Sequence, residues 1–236
     1  MRLLVTRPLP DGERTATALR QRGHDALLAP LLCIELNGNA DFGRGPFAAV
    51  LMTSANAARA LAAHPQRASI IVLPLFAVGR QTADAARAAG FTNVVSADGN
   101  AGDLAVLVSA RGAGGAVLYL AAEDRAGDLA GDLKAHGIVV TTVAIYRAVA
   151  AASFPGAARA AIETGTVDGV LHFSRRSAAV FSDLAGKAGL ADPVARLRHY
   201  CLSGAVAAPL TAAGATDVRI ASRPDEAAVL DLIPRA

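Results

Sequence analysis

Short apolar runs alternate along this chain with Ala-rich stretches of helical spacing, and the alternation predicts an α/β protein. Leu3 to Thr6 reads as a strand closed by the Arg7-Pro8-Leu9-Pro10-Asp11-Gly12 loop, and Glu13 to Arg22 as a helix stopped by Gly23. Asp25 to Leu36 is an extended run interrupted by Pro30, where a ladder donor is missing. After a Gly- and Asn-rich connector (37–46), Phe47 to Thr53 reads as strand and Ala55 to Ala63 as helix. The run Ile70 to Gly79 reads as a further apolar stretch ending in a glycine turn, followed by a helix from Thr82 to Gly90 and a short strand at Asn93 to Val95. Ala101 to Ala110 is helical, Val117 to Ala121 a strand, Asp124 to His136 a helix and Ile138 to Val149 extended. From Val167 the pattern resumes: strand to Phe173, helix to Leu184, strand His199 to Ser203, helix Val206 to Ala213, strand Val218 to Ala221 and helix Pro224 to Leu232. About ten strands alternating with helices suit two parallel five-stranded sheets.

Two strand-to-helix turns share one design. Val50-Leu51-Met52-Thr53-Ser54-Ala55-Asn56 passes from an apolar strand into small polar residues and then a helix, and Val170-Leu171-His172-Phe173-Ser174-Arg175-Arg176-Ser177 repeats the move. At such a turn a serine or asparagine caps the helix, and the remaining first-turn amides suit an anion. A cap alone is an ordinary structural need; the second copy suggests two domains addressing one ligand. A weak internal repeat agrees. At an offset of 114, Leu4, Leu19, Gly23 and Leu31 fall on Leu118, Leu133, Gly137 and Ile145; at 120, Ser54 falls on Ser174; at 124, Gly79, Ala83 and Gly90 fall on Ser203, Ala207 and Gly214. Taken alone, this repeat would divide the chain near residue 115.

Composition narrows the chemistry. The 236 residues suffice for one large domain or two small ones, and the net charge is +3. Only Lys134 and Lys187 are lysines, so arginine forks dominate the cations and an acidic ligand is plausible. No basic run interleaved with aromatics points to nucleic acid, and no apolar run approaches the length of a membrane span. The N-terminal stretch lacks a signal h-region, and a cytoplasmic protein is expected. Cys33 and Cys201, both in apolar strand-like contexts, are expected as free buried thiols. The five histidines lack metal-ligand spacing, so no metal site is expected; His172, beside a strand end, reads first as a core histidine. Gly112-Ala113-Gly114-Gly115 precedes a strand, the wrong context for a dinucleotide fingerprint, and reads as a turn. Neither Ser54 nor Ser174 sits in a Gly-x-Ser-x-Gly frame. No cofactor is expected.

What remains is a set of strand-end loops: Thr6-Arg7, Thr53-Ser54-Ala55-Asn56, Gly79-Arg80-Gln81-Thr82, Ser174-Arg175-Arg176-Ser177 and Ser203-Gly204. They offer hydroxyls, backbone donors and some cationic charge, which hold carboxylates without strong acid or base. Tyr146 lies in the extended stretch matching the Pro30 segment; its phenol suits either proton donation to a leaving hydroxyl or simple packing.

The order and spacing of several segments resemble the uroporphyrinogen-III synthase family: Leu4-Val5-Thr6-Arg7-Pro8, Met52-Thr53-Ser54-Ala55-Asn56-Ala57, Ala77 to Ala83, Ile145-Tyr146-Arg147, Phe173 to Ala178, Cys201 to Ala208 and Ala221 to Leu230. The resemblance implies two flavodoxin-like domains, each a parallel five-stranded sheet flanked by helices, joined by a two-stranded linker. The first, discontinuous domain would comprise 1–34 and 150–236, the second 38–144, with linkers near 30–37 and 143–150. It implies a monomeric lyase of heme biosynthesis. That enzyme takes hydroxymethylbilane, a linear tetrapyrrole polycarboxylate, expels its hydroxyl as water, inverts ring D through a spiro intermediate and closes uroporphyrinogen III. Tyr146 is then the candidate to assist hydroxyl departure. Thr6, Arg7, Thr53, Ser54, Asn56, Gly79, Thr82, Ser174, Arg175, Ser177, Ser203 and Gly204 are the candidate substrate contacts. Val206 stands where many relatives carry Thr, which removes a hydroxyl near Ser203. The competing readings are a two-domain cytosolic binding or sensor protein for an acidic small molecule, and a nicotinamide or flavin enzyme, which the missing glycine fingerprint disfavours.

Overall fold

Buried parallel strands read as continuous apolar runs because helices cover both sheet faces, and the central strands here, all four residues of each buried, obey that rule. The computed structural model describes residues 1–112, 114–125 and 127–235; Ala113, in the glycine turn expected before Val117, lies outside the described residues, as does Ala126 of the helix expected over 124–136. In chain order the elements are β1 (Arg2–Val5), α1 (Asp11–Gln21), β2 (Asp25–Leu28), β3 (Leu32–Leu36), β4 (Ala49–Met52), α2 (Ala55–Ala62), α3 (Arg67–Ile70), β5 (Leu75–Ala77), α4 (Arg80–Ala88), β6 (Val94–Ser96) and α5 (Ala101–Arg111). They continue as β7 (Val117–Ala122), α6 (Leu129–Ala135), β8 (Val140–Ala150), α7 (Gly156–Glu163), β9 (Gly169–His172), α8 (Arg175–Lys187), α9 (Ala191–Ala195), β10 (Arg198–Cys201), α10 (Gly204–Ala212), β11 (Asp217–Ile220) and α11 (Glu226–Asp231).

The chain divides into two compact units, Met1–Cys33 with Val149–Ala236, and Ile34–Ala148, and passes between them within β3 and again within β8. In the first unit the sheet order is β11-β10-β9-β1-β2, every described pairing parallel. Counted within the unit, this is the 2-1-3-4-5 order of a flavodoxin-like sheet. One face packs Leu4, Val170 and Cys201 against Phe181 and Leu184 of α8; the other packs Leu3, Val5, Leu171 and Tyr200 against Leu19, Val229 and Leu230. Each fully buried Leu or Phe contributes about 1.5–3 kcal/mol.

The second unit carries β8, β7, β4, β5 and β6 in parallel, with β3 as a sixth strand beside β8. Asn37 N–H donates to the Ile145 carbonyl at 2.8 Å, and Arg147 pairs with Glu35 at 2.7 Å along that added edge. Val50, Met52, Leu118 and Leu120 face one core; Leu51, Phe76 and Tyr119 face the other.

The weak repeat has a structural meaning: the two sheets share one register. Leu4 lies opposite Leu27 and Val170, while Leu118 lies opposite Thr141 and Val50, positions related by offsets of 114 and 120. Val170 lies opposite His199 and His199 opposite Val218; Val50 lies opposite Leu75 and Leu75 opposite Val94, related by 120 and 124. The two units are therefore the same sheet with the chain entering at different strands. Residue 115 falls inside the second unit, between α5 and β7, and not at a division.

Several elements differ from the expectation. The run 70–79 is helix α3 to Ile70, then strand only from Leu75, because Pro74 cannot donate to a ladder. The extended run 25–36 splits into β2 and β3 around Pro30. Helix α6 starts only after Asp128, whose carboxylate caps the Gly131 amide at 3.0 Å. Between β8 and β9 the chain forms α7, a helix that the hydrophobic alternation does not mark. Cys201 is buried, its thiol pushed up to about 12 by burial, but Cys33 is exposed, contrary to expectation, because it sits on the edge strand β3.

Candidate active site

Parallel strands place all their carboxyl ends on one edge of a sheet, so each unit has a rim of strand-to-helix turns. In the second unit the end of β4 carries the densest chemistry. Ser54 is in extended conformation and caps α2, its Oγ accepting from Asn56 N–H at 3.2 Å. The Asn56 side-chain oxygen accepts from Arg59 Nη1 at 2.7 Å. Thr53 and Ser54, being consecutive in an extended segment, point to opposite faces. A tyrosine meets each: the Tyr119 and Thr53 hydroxyls are 2.9 Å apart, and the Tyr146 phenol lies near enough to Ser54 to feel its hydroxyl. The Tyr119 ring packs with Leu51 and Phe76, the Tyr146 ring with Met52 and Leu120, so the phenols approach from the two faces of the sheet.

Tyr146 is 7% exposed. Burial raises its pKa above the ordinary phenol value, the nearby Ser54 hydroxyl opposes the rise, and Tyr119 adds to it. The group is therefore protonated at neutral pH and serves as a donor. Beside it opens a cavity of about 390 Å³ lined by Glu35, Leu36, Asn37, Glu123, Ala144, Tyr146 and Arg147. On the neighbouring strand, α4 starts at Gly79 with no side-chain cap, which leaves room for a ligand oxygen at its first turn. Thr82 is buried, so its side chain is not part of the open rim.

In the first unit Ser174 caps α8, accepting from Ser177 N–H at 3.4 Å, and Arg175 is exposed at the first position of that helix. Ser203 precedes α10 without capping it, so its hydroxyl stands beside the exposed Gly204. Val206 is buried, in the first turn of the same helix. Two candidates belong to the scaffold. Thr6 is fully buried and donates to the Leu171 carbonyl at 2.8 Å, tying β1 to β9. Arg7 lies with its guanidinium 4.4 Å from the Phe173 ring centroid, 3.3 Å from Glu226 and 3.7 Å from Asp11, and donates to Thr15 at 3.2 Å. Thr15 also hydrogen-bonds Glu226, and burial lowers the Arg7 pKa against the pull of both carboxylates. Arg7 thus fastens α1 and α11 under the rim, its donors committed internally. Ser177 is buried as well.

His172 is a core residue. Its Nε2 lies 3.1 Å from His199 Nδ1, and His199 Nε2 donates to the Val194 carbonyl at 2.9 Å. With that proton assigned, His172 Nε2–H donates to His199, and His172 Nδ1 is left without a partner. Burial lowers the pKa of both rings, that of His172 strongly. Among the described residues no group of three or more His, Cys, Asp or Glu is placed to hold a metal ion, and no helix is long and apolar enough to cross a membrane.

Thr53, Ser54 and Tyr146 are candidates on the sequence alone; Tyr119 is not, being hidden in the apolar strand Val117-Leu118-Tyr119-Leu120-Ala121. The available signal is parity: two residues after Leu51 on the same face comes Thr53, and Tyr119 lies opposite Leu51.

Residues 13–231 match the family model described as uroporphyrinogen-III synthase HemD (HEM4). No curated protein sequence matches significantly. Among solved structures, the fold is similar to uroporphyrinogen-III synthetase from Helicobacter pylori, at 17% identity over 98% of each chain with a TM-score of 0.67. It is also similar to a mutant uroporphyrinogen III synthase from the extremely thermophilic bacterium Thermus thermophilus, at 16% identity over 98% of this chain and 97% of that one, with a TM-score of 0.57. The fold likeness and the family match over nearly the whole length agree with the rim chemistry: the chain belongs to the uroporphyrinogen-III synthase family.

Proposed function

We propose that this chain carries out the reaction of its family, converting hydroxymethylbilane to uroporphyrinogen III with loss of water and inversion of ring D, as a lyase of heme biosynthesis. The observation that carries the reading is the family match over residues 13–231. A protonated, buried phenol next to a strand-end turn of hydroxyls and helix amides supports the chemistry.

The substrate's carboxylates are held by first-turn amides and hydroxyls: Thr53, Ser54, Asn56 and Gly79 in the second unit, and Ser174, Arg175, Ser203 and Gly204 in the first. Thr6, Arg7, Thr82 and Ser177 support these turns from beneath. Tyr146 acts as general acid. As the C–O bond of the hydroxymethyl group breaks, the electron pair goes to oxygen, which takes the phenol proton and leaves as water. The lone pair of the adjoining pyrrole nitrogen fills the vacancy, giving an azafulvenium. The substituted α-carbon of ring D attacks this azafulvenium carbon, giving a spiro intermediate. The original bond from that α-carbon to the methylene on ring C then breaks, its electron pair restoring ring D and leaving an azafulvenium on ring C. The free α-carbon of ring D attacks that methylene to form the closing carbon–carbon bond, and the proton it loses as the pyrrole regains aromaticity returns to the phenolate. Free bilane closes without inversion, so the protein's main contribution is to hold the shape that places ring D for inversion. The enzyme is proposed to act as a cytoplasmic monomer without a cofactor.

The test is to incubate the purified chain with hydroxymethylbilane, oxidise, and separate the isomers. Type III product is expected; type I product alone would overturn the reading.

A further inference from the structure

We infer that Tyr119 is a positioning residue, which aims the Thr53 hydroxyl at a substrate carboxylate; this rests on the reading of the β4 rim as a substrate site. The two hydroxyls lie 2.9 Å apart, and Tyr119 is 5% exposed while Thr53 is partly open to solvent. Tyr119 therefore cannot reach a ligand broadly, but Thr53 can. A hydroxyl has one proton and two acceptor lone pairs, so the direction of this bond decides what Thr53 presents outward. A phenol is a far stronger acid than an aliphatic alcohol and is the better donor. With Tyr119 donating, the Thr53 proton is freed to point outward, toward an anion. With no phenol there, that proton is free to turn inward or rotate.

The other unit supplies a contrast. At the matched positions stand Val5 and Phe173, both in an apolar cluster with Leu171 and Tyr200, so this hydroxyl pair is not required by the shared sheet. The pair sits one residue from the Ser54 cap of α2, near which the Tyr146 phenol lies.

Tyr119→Phe keeps the buried ring and deletes only the hydroxyl, so the variant folds; thermal melting verifies it. With hydroxymethylbilane as substrate, KM for type III formation is expected to rise about 5- to 20-fold in Tyr119→Phe, with kcat within about twofold, an effect of the size of one charge-assisted hydrogen bond. Thr53→Val is expected to raise KM at least as much, and Thr53→Ser, which retains the hydroxyl, to stay near wild type. The deciding measurement is the double variant: once Thr53 is Val, Tyr119→Phe is expected to add no further rise. A normal KM in Tyr119→Phe, or additive effects in the double variant, would overturn the inference while leaving the proposed function intact. A wild-type chain that forms type I product alone would instead fail the proposed function, and the inference with it.

Discussion

The second unit places Thr53 and Tyr119 where the first places Phe173 and Val5, on sheets whose registers coincide pair for pair. In one unit the strand end is a hydroxyl pair beside a buried phenol; in the other it is an aromatic ring under an arginine. The same contrast recurs deeper in the sheets. His172 and His199 of the first unit correspond to Met52 and Leu75 of the second, and Gly169 corresponds to Ala49. The lesson is that a shared backbone sets where strand ends fall, whereas side chains in matched positions divide the labour. The second rim holds a candidate acid and hydroxyl donors. The first offers helix amides on a scaffold of ion pairs and aromatic contact.

If that division is right, Tyr146→Phe has the largest effect. Loss of a general acid predicts a fall in turnover of about 10²-fold, with a melting temperature within a few degrees of wild type. Unchanged turnover would remove the asymmetry between the rims. Gly169→Ala is next: an added Cβ would lie 2.8 Å from the Arg198 carbonyl oxygen and 2.9 Å from the Tyr200 ring. Urea unfolding is expected to show a loss of about 2 kcal/mol. The reverse change in the matched position, Ala49→Gly, should cost only about 0.5–1 kcal/mol, the ordinary glycine penalty.

Acid provides a third comparison. Burial holds His172 and His199 below the usual histidine pKa, so the folded unit keeps them neutral while the unfolded chain takes up protons below about pH 6.5. The unfolded state then binds more protons, so stability is fully present above that pH and is lost as pH drops below it, by up to about 1.4 kcal/mol per pH unit for each proton. His24 adds to this in the first unit, and His64 acts in the same sense in the second. Amide hydrogen exchange between pH 7 and pH 5 should therefore show the first unit loosening more, and His172→Met combined with His199→Leu should flatten the difference. Equal loosening of both units would contradict it. The smallest effect is expected from Phe173→Leu, which gives up the contact with the Arg7 guanidinium, about 0.5–1 kcal/mol at a partly exposed site, and leaves KM within twofold. A large KM change there would show that the first rim also reads substrate through this side chain.

Much of this architecture is legible in the sequence because it is local. Apolar runs bounded by Gly, Pro and capping serines mark β1, β4, β7 and β9, and the Ser54 and Ser174 caps follow from residue type at a strand end. Helix α7 escapes notice because Pro155 stands before its first turn, Gly156-Ala157-Ala158-Arg159, and supplies no side-chain cap. Arg7 reads as a ligand contact because a guanidinium after a strand is ambiguous alone; its partner Glu226 is 219 positions away. Tyr119 is hidden because its hydroxyl matters only through a neighbour on another strand.

Residue type and short-range spacing were enough to fix the alternation of strands and helices, the capped turns and, through resemblance to a family, the reaction to look for. Each of these is written within a window of a few turns of chain. It took the folded molecule to establish which hydroxyl meets which, that Thr6 and Arg7 are committed to the scaffold, and that two differently ordered stretches build one register. Those outcomes depend on long-range pairing and burial, which join residues a hundred or more positions apart and leave no trace in any local window.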